Sequence, residues 1–412
     1  MTTRVVNLMP WRNWSGHVTC TPCSQIDVAS ENDVATAIAA AVGGQTTIRQ
    51  RGTGHSCSPI CATDDVLMSF EGMQGIAEVD PVAQTARIHA GTPMSELGEP
   101  LCQAGLALEN QGDIDLQTIA GAVATGTHGT GTRLGSISSK VAGLRIALAS
   151  GDVVSLGPNT DKRLFDAAGV SLGSLGVILE VTMALVKRYR LREINRAVDV
   201  NPCIAEFPEL QARHRNIEFF WLPTFDKCIL KTLEETDGPL TPENQMDLPM
   251  GTPGTLERYL RPERIHWSHR IYPSRRAALF NEMEFAVPLE TGLECFAELR
   301  TLMKTRFSEV TWAVEYRPLA AENAYLSQAN ARPSACISIH QEASRDCLPF
   351  FRAAQAIFLN FDGRPHWGKT HFCTSRHLEK LYPHWDDFMS VRHELDPCGI
   401  FLNEHLRQVF GL

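Results

Sequence analysis

The sequence predicts an α+β protein of two domains, and three observations carry that reading. The chain has 412 residues, more than one ordinary core accommodates. Short β-branched runs and amphipathic helical runs follow one another without the long, regular βα alternation of a doubly wound sheet. The texture changes at KRYRLRE, residues 187–193, a charged stretch between two such mixtures.

The elements follow in order. Ser30 is a helix N-cap, with Glu31 and Asp33 suited to the dipole. Val34, Ile38 and Val42 fall on one face, and Gly43-Gly44 marks the stop. TTIRQRG is extended, and DVLMSF, AEVD and TARIHAG are short strands. MSELGEPLCQAG is a helix with Leu97 and Leu101 inward and Gly105 as terminator. KVAGLRIALASGDVVSL is a hairpin about a Ser-Gly-Asp turn, and GVSLGSLGVILEVTMALV a glycine-spaced turn followed by a strand.

In the second half RNIEFFWLP and KCILKTL are strands. The Pro-, Gly- and Asp-rich segment 235–255 is a long loop, either a lid or an insertion. LECFAELRTLMKTR is a helix burying Phe296, Leu299 and Met303, and FFRAAQAIFLN is another. The basic, aromatic segment 258–276 is a lid edge or a solvated face, with attachment to a membrane surface or a partner as the lesser alternative. DPCGIFLNEHLRQVFG closes with a turn and a short helix.

Composition excludes several classes. With 43% hydrophobic and 21% charged residues the chain has the balance of a soluble globular protein. A net charge of −9 argues against nucleic acid as a partner, since phosphate neutralisation needs clustered Lys and Arg. No stretch has the apolar length to cross a bilayer. The start, MTTRVVNLMPWRNWSG, lacks the apolar core and cleavage site of a signal peptide, so the cytoplasm is the expected location. The twelve cysteines are scattered and expected to be reduced. Cys20 with Cys23 and Cys57 with Cys61 allow a zinc-stabilised, non-enzymatic binding protein as a remote alternative, although the long linker suits it poorly.

Two glycine-rich runs carry chemistry. GTGHSCSP, residues 52–59, begins like a dinucleotide fingerprint. It has no third glycine, no clear βαβ unit around it and no acid ~20 residues on to bind a ribose. Gly52 and Gly54 still allow the backbone to approach a phosphate. AGAVATGTHGTGT, residues 120–132, has little side-chain volume, which suits a large flat ligand packed against it.

Together, IRQRGTGHSCSP and QTIAGAVATGTHGTG resemble the two flavin-binding stretches of the vanillyl-alcohol-oxidase-type FAD-binding fold. The subgroup they resemble is that of the aldonolactone oxidoreductases and alditol oxidases. NWSG, LGSLGVILEVT and DPCGIFLNEHLR fit it as well. The resemblance implies a two-subdomain, PCMH-type FAD-binding domain over residues 1–186 and an α+β substrate (cap) domain over 187–372. It places a C-terminal segment, 373–412, back near the flavin domain. It implies FAD bonded covalently through His55, with cofactor contacts from Arg51, Gly52, Thr53, Gly54 and Ser56. Further contacts come from Asp113, Thr118, Gly121, Thr125, Gly126, Thr127, His128 and Ile178. Cys57 stands where the subgroup has an aromatic residue, which leaves space beside the ring.

Oxidising a CH–OH group through a flavin needs cations near the ring and a polar group at the hydroxyl. In VEYRP, Glu315 and Arg317 are two apart and share a strand face. RPHWGKTH brings His366, Trp367 and Lys369 around a glycine. Both resemble subgroup signatures, E-x-R and HWxK. The resemblance assigns Lys369 to the reduced ring, Arg317 to the substrate hydroxyl and Glu315 to orienting Arg317 and sharing the proton relay. Ser338 and His340 in CISIHQ, with His366 and Trp367, are substrate-binding candidates. Asp113 departs from the serine of some alditol oxidases, and Gly112 resembles the small residue of oxygen-reactive relatives. The expected substrate is a sugar-derived lactone of the L-gulono-1,4- or D-arabinono-1,4-lactone type, with an alditol as alternative, and oxygen or another acceptor takes the electrons.

Overall fold

The computed structural model describes residues 5–6, 9–242, 256–274 and 278–412. Three sheets organise the chain. The first has the order Val5–Val6, Ser24–Asp27, Val66–Ser69, Ile48–Arg51, and its last two pairings are parallel. The helix Glu31–Gly44 makes the crossover, capped by Ser30, whose side chain accepts from the Asp33 N–H. It buries Val34, Ala37, Ile38 and Ala41, while Val42 is 41% exposed. Eight residues beyond Val34, Val42 sits roughly 80° round the helix, and two alanines carry the stripe in its place. Gly43 and Gly44 stay helical, and the stop is Gln45 in the left-handed region at φ 53.

The second sheet is antiparallel, in the order Val153–Leu156, Val141–Ala147, Val177–Ala184, Thr85–His89, Ile76–Asp80. Its expected hairpin forms, and Gly151 takes the turn position at φ 89. Gly98–Gln103 is the short helix, with Leu97 and Leu101 fully buried.

The third sheet has eight antiparallel strands: Arg264–Trp267, Arg190–Asp199, Lys227–Glu235, Asn216–Leu222, Val314–Leu319, Ser334–Glu342, Phe280–Pro288, Arg364–Pro365. Its faces differ. Ile217, Phe219, Tyr316, Ile337 and Phe285 belong to the main core together with Phe207, Phe296 and Phe351 of the helices Val200–Arg213, Gly292–Arg306 and Leu348–Asn360. The other face carries Lys231, Glu218, Glu315, Arg317, Ser338, His340, Glu282 and Glu284. Period-2 alternation sorts the two sets.

The expected 235–255 loop leaves this sheet at Glu235; its residues 243–255 lie outside the described residues, as do 275 and 276 of the basic stretch. The tail returns to the first sheet: the Ile48 N–H donates to the Ile400 carbonyl at 2.8 Å, and Asn403 Nδ2 donates to the carbonyls of Pro59 and Ala62 at 2.9 and 2.7 Å. No helix among the described residues is long and apolar enough to cross a membrane. All twelve cysteines are free, and none of Cys20, Cys23, Cys57 and Cys61 belongs to a group of described side chains close enough to share an ion. The zinc alternative therefore has no geometry behind it.

Candidate active site

A cleft runs between the first two sheets and the polar face of the third. It holds about 1420 Å³ of atom-free space, mouth included, on the scale of a large organic ligand. Both glycine runs line it.

The first run is pinned from three sides. The Trp14 N–H donates to the Gly54 carbonyl at 2.8 Å, Asn13 Nδ2 donates to the Ser56 carbonyl at 2.9 Å, and the Trp14 ring stacks on His55 at 5.3 Å. The Cys57 N–H donates to the Gly368 carbonyl at 2.7 Å, and Ser58 Oγ to the Trp367 carbonyl at 2.6 Å. Two segments more than 300 residues apart in sequence are thereby clamped together, which brings His55 and Lys369 to one end of the cleft. Gly52 lies against the second run, where a Cβ would run into Thr118 Oγ1. Gly54 needs its φ of 77. The glycines thus serve protein-to-protein packing as well as a ligand.

The backbone N–H groups of residues 52–56 donate to no acceptor among the described residues. Successive unpaired amides form an anion-binding nest. In the second run Thr118 caps the helix Ile119–Ala124 by accepting from the Gly121 N–H, and Thr125 Oγ1 donates to the Gly121 carbonyl at 2.8 Å. An amide nest beside an open cleft rimmed by Arg51 and Lys369 fits the pyrophosphate and ring system of FAD.

The polar face supplies the charges. Arg317 Nη2 lies 2.6 Å from Glu284 Oε2 and 3.4 Å from Glu315 Oε2. Ser338 Oγ donates to Glu284 Oε2 at 2.5 Å. His128 Nε2 meets Glu284 Oε1 at 2.6 Å and Nδ1 meets the Gly129 carbonyl at 2.8 Å. With acceptors at both ring nitrogens the imidazolium is favoured: burial opposes it, but Cys336 and Glu284 push the His128 pKa up to about 10. Burial also opposes the charges on Glu284 and Arg317; Arg317 and then His128 hold Glu284 well below its ordinary range, while Glu315 and then Glu284 hold Arg317 well above its own. Lys369 is ion-paired with Glu282 Oε2; burial opposes the ammonium, but Glu282, with Cys57 and Glu284 behind it, raises its pKa. His55 is driven the other way: burial and then the Lys369 charge pull it down to about 4. Burial takes His366 down to about 3, and its Nδ1 accepts the Gly368 N–H at 3.1 Å.

The sequence-predicted residues mostly converge. Arg51, Gly52, Thr53, Gly54, His55, Ser56, Asp113, Thr118, Gly121, Thr125, Thr127, His128 and Ile178 line the cleft, as do Glu315, Arg317, His340, His366 and Lys369. Five expectations need correction. Trp367 is 1% exposed, donates through Nε1 to the Leu326 carbonyl and stacks on Tyr382, so it is a core residue and not a substrate contact. Ser338 lies beneath the cleft floor, spent on Glu284 and Arg317. Gly126 faces Gln328, whose amide donates to its carbonyl at 3.1 Å. Cys57 is buried behind the loop and does not border the cleft, so it leaves no space there. The orienting carboxylate of Arg317 is Glu284 by distance, while Glu315 Oε1 is buried without a partner among the described residues. Sequence reasoning missed Glu282 and Glu284. Their signal was present: two acids two apart inside the apolar strand Phe280–Pro288, a pattern that puts both on one face.

Comparison with known proteins shows the family. Residues 254–409 match the family described as D-arabinono-1,4-lactone oxidase, and residues 25–157 match the FAD binding domain family. L-gulono-1,4-lactone dehydrogenase of Mycobacterium tuberculosis is 33% identical, covering 97% of this chain and 99% of its own. An alditol oxidase of a Streptomyces species is 27% identical over 96% of this chain and 98% of its own. A cholesterol oxidase from Brevibacterium sterolicum superposes with a TM-score of 0.83 at 15% identity, covering 99% of this chain and 97% of that one, a likeness of fold. The chain belongs to the aldonolactone oxidoreductase family of FAD-binding proteins.

Proposed function

We propose that the protein is an FAD-dependent oxidoreductase that oxidises a CH–OH carbon of an aldonolactone, of the L-gulono-1,4- or D-arabinono-1,4-lactone kind. The observation that carries this reading is the meeting of His55, Lys369 and the Glu284–Arg317–Glu315 set in one cleft. The names of the relatives support the substrate class.

The amides of 52–56 would hold the pyrophosphate, and the 118–128 run would flank the ring system. Bound FAD would accept the carbon-bound hydrogen with its electron pair. Arg317, fixed by Glu284, donates to the substrate oxygen and stabilises the negative charge that grows there. Glu315, with one unpaired oxygen, receives the hydroxyl proton. Lys369 would offer a positive charge to the flavin ring. His340 donates through Nδ1 to the Ala313 carbonyl at 2.9 Å, which leaves Nε2 toward Glu282 and the cleft. Covalent attachment at His55 suits its state: the ring is neutral at physiological pH, and neither nitrogen is bonded to a protein group among the described residues. Gly112 also lines the cleft, and this small residue supports oxygen as an acceptor.

The test is an aerobic assay of lactones and polyols, read both as peroxide and as reduction of an artificial acceptor. We expect lactone turnover. Oxidation of xylitol with no lactone oxidised would transfer the assignment to the alditol class.

A further inference from the structure

Beside Arg317 and behind the cleft wall lies a carboxyl group, Glu218, that the reaction described above does not use. Glu218, on the strand Asn216–Leu222, stands opposite Lys231 in the antiparallel register. Lys231 Nζ lies 2.7 Å from Glu218 and 3.1 Å from Asp113 Oδ1. Carboxylate oxygens of Asp113, Glu218 and Glu315 all lie within 4.8 Å of one another. Such a triad invites a metal ion, but Lys231 already supplies the cation, and its ammonium sits on two of the three acids.

The three acids differ in their surroundings. Asp113 and Glu315 line the cleft, whereas Glu218 does not and is 2% exposed. The groups facing Glu218 are Lys231 from one neighbouring strand, Glu315 and Arg317 from the other, and Asp113 from the loop above. Glu193, which also feels Lys231, is held by Arg264 at 2.5 Å. Three carboxylates this close repel one another, and a proton on any of them relieves the repulsion. It settles where water helps the charge least. Burial first, and then Asp113 and Glu315 against the pull of Lys231, push the Glu218 pKa up to about 7.

We propose that Glu218 is the proton store of the oxidation, taking over through Glu315 the proton that leaves the substrate hydroxyl. This rests on the oxidoreductase reading. The carbon-bound hydrogen leaves with its electron pair to the flavin, and an oxygen lone pair closes the new C=O. The hydroxyl proton passes to Glu315 Oε1 and on to a Glu218 oxygen, so Glu315 is again a carboxylate and Glu218 a neutral acid. After product leaves, Glu218 returns the proton to water by way of Asp113 at the cleft wall. Glu218 touches neither substrate nor cofactor and is a positioning residue for the proton.

Two measurements test this on the FAD-bound protein. The first needs no substrate: infrared difference spectra across neutral pH. A buried protonated-carboxyl band should disappear as pH rises in the parent protein and be missing in Glu218→Gln. An unchanged band in that variant overturns the proposal. The second is anaerobic flavin reduction by stopped flow. The rate should fall as pH drops below neutrality, because the store is then already filled. In Glu218→Gln this limb should flatten and the plateau rate drop at least ~10-fold, and Glu218→Asp should restore the limb. A retained limb overturns the idea. Should Glu218→Gln fail to fold, Asp113→Asn decides: removing that negative charge lowers the Glu218 pKa, so the limb must move to lower pH, and a stationary limb refutes the store. If no lactone or polyol reduces the flavin, the oxidoreductase reading fails, and the infrared arm still decides whether Glu218 holds a proton.

Discussion

Two side chains in this cleft are set by a neighbour's charge. Lys369 is kept cationic by Glu282, and the same ammonium helps keep His55 neutral. A neutral imidazole is the nucleophilic form, so the pair reads as one device: an anchor held ready and a cation held charged. His55→Ala should leave a protein whose flavin stays in the supernatant after acid precipitation, whereas the parent's yellow colour should sediment; equal partition in both would remove the covalent link. The second device is Arg317 on Glu284. Exchanging Glu284 for Gln keeps the size and deletes the charge that fixes the guanidinium and sustains the His128 imidazolium. Glu284→Gln should bind FAD and reduce it by substrate roughly 10²-fold more slowly, with the loss in kcat rather than KM. A loss confined to KM would make Glu284 a binding group only.

Strand alternation is the element-scale rule that made part of this site legible. Glu315 with Arg317, and Ser338 with His340, could be paired from sequence because each pair is two apart in a β-branched or aromatic run. The rule places side chains on a face but does not say how deep they lie, so Ser338 came out one layer too shallow. The Phe280–Pro288 strand carries the same pattern, but it follows directly on a basic stretch, so Glu282 and Glu284 went unread. RPHWGKTH failed for a different reason. After the short strand Arg364–Pro365 it is a loop, where no period tells which side chains point in. His366 and Lys369 face the cleft and Trp367 turns into the core between Tyr382 and His371. Trp367→Ala should therefore cost roughly 3–5 kcal/mol of stability, read as a shift of the urea midpoint. The residual folded enzyme should keep a near-normal KM; a large KM change at unaltered stability would return Trp367 to the substrate site.

The whole molecule depends on contacts that no local pattern announces. The two glycine runs, the polar sheet face and the HWGK loop come together only because segments far apart in sequence are cross-braced. Arg49 is the clearest brace. It is 2% exposed, and its guanidinium donates to the Ile60 carbonyl at 2.7 and 3.1 Å, to Leu172 at 2.8 Å, to Gly173 at 3.0 Å and to Phe401. One side chain thus joins the first sheet, the turn before the Val177–Ala184 strand and the C-terminal segment, and it also borders the cleft. Burial pulls its pKa down to about 10, still far above neutral, so the group stays charged and each carbonyl receives a charge-assisted bond. A lysine keeps the charge but cannot reach four carbonyls with a planar fork. Each carbonyl left without a donor costs about 1–3 kcal/mol, so Arg49→Lys should lose roughly 2–5 kcal/mol in urea unfolding. Because the three braced segments wall the cofactor cleft, the variant should also be purified with less FAD per chain, and added FAD should recover part of the lost stability, since a ligand that binds only the folded state stabilises it. Unfolding at the parent's midpoint with full flavin content would show that the brace is redundant and that the tail holds the cleft through Asn403 and the Ile400 carbonyl alone.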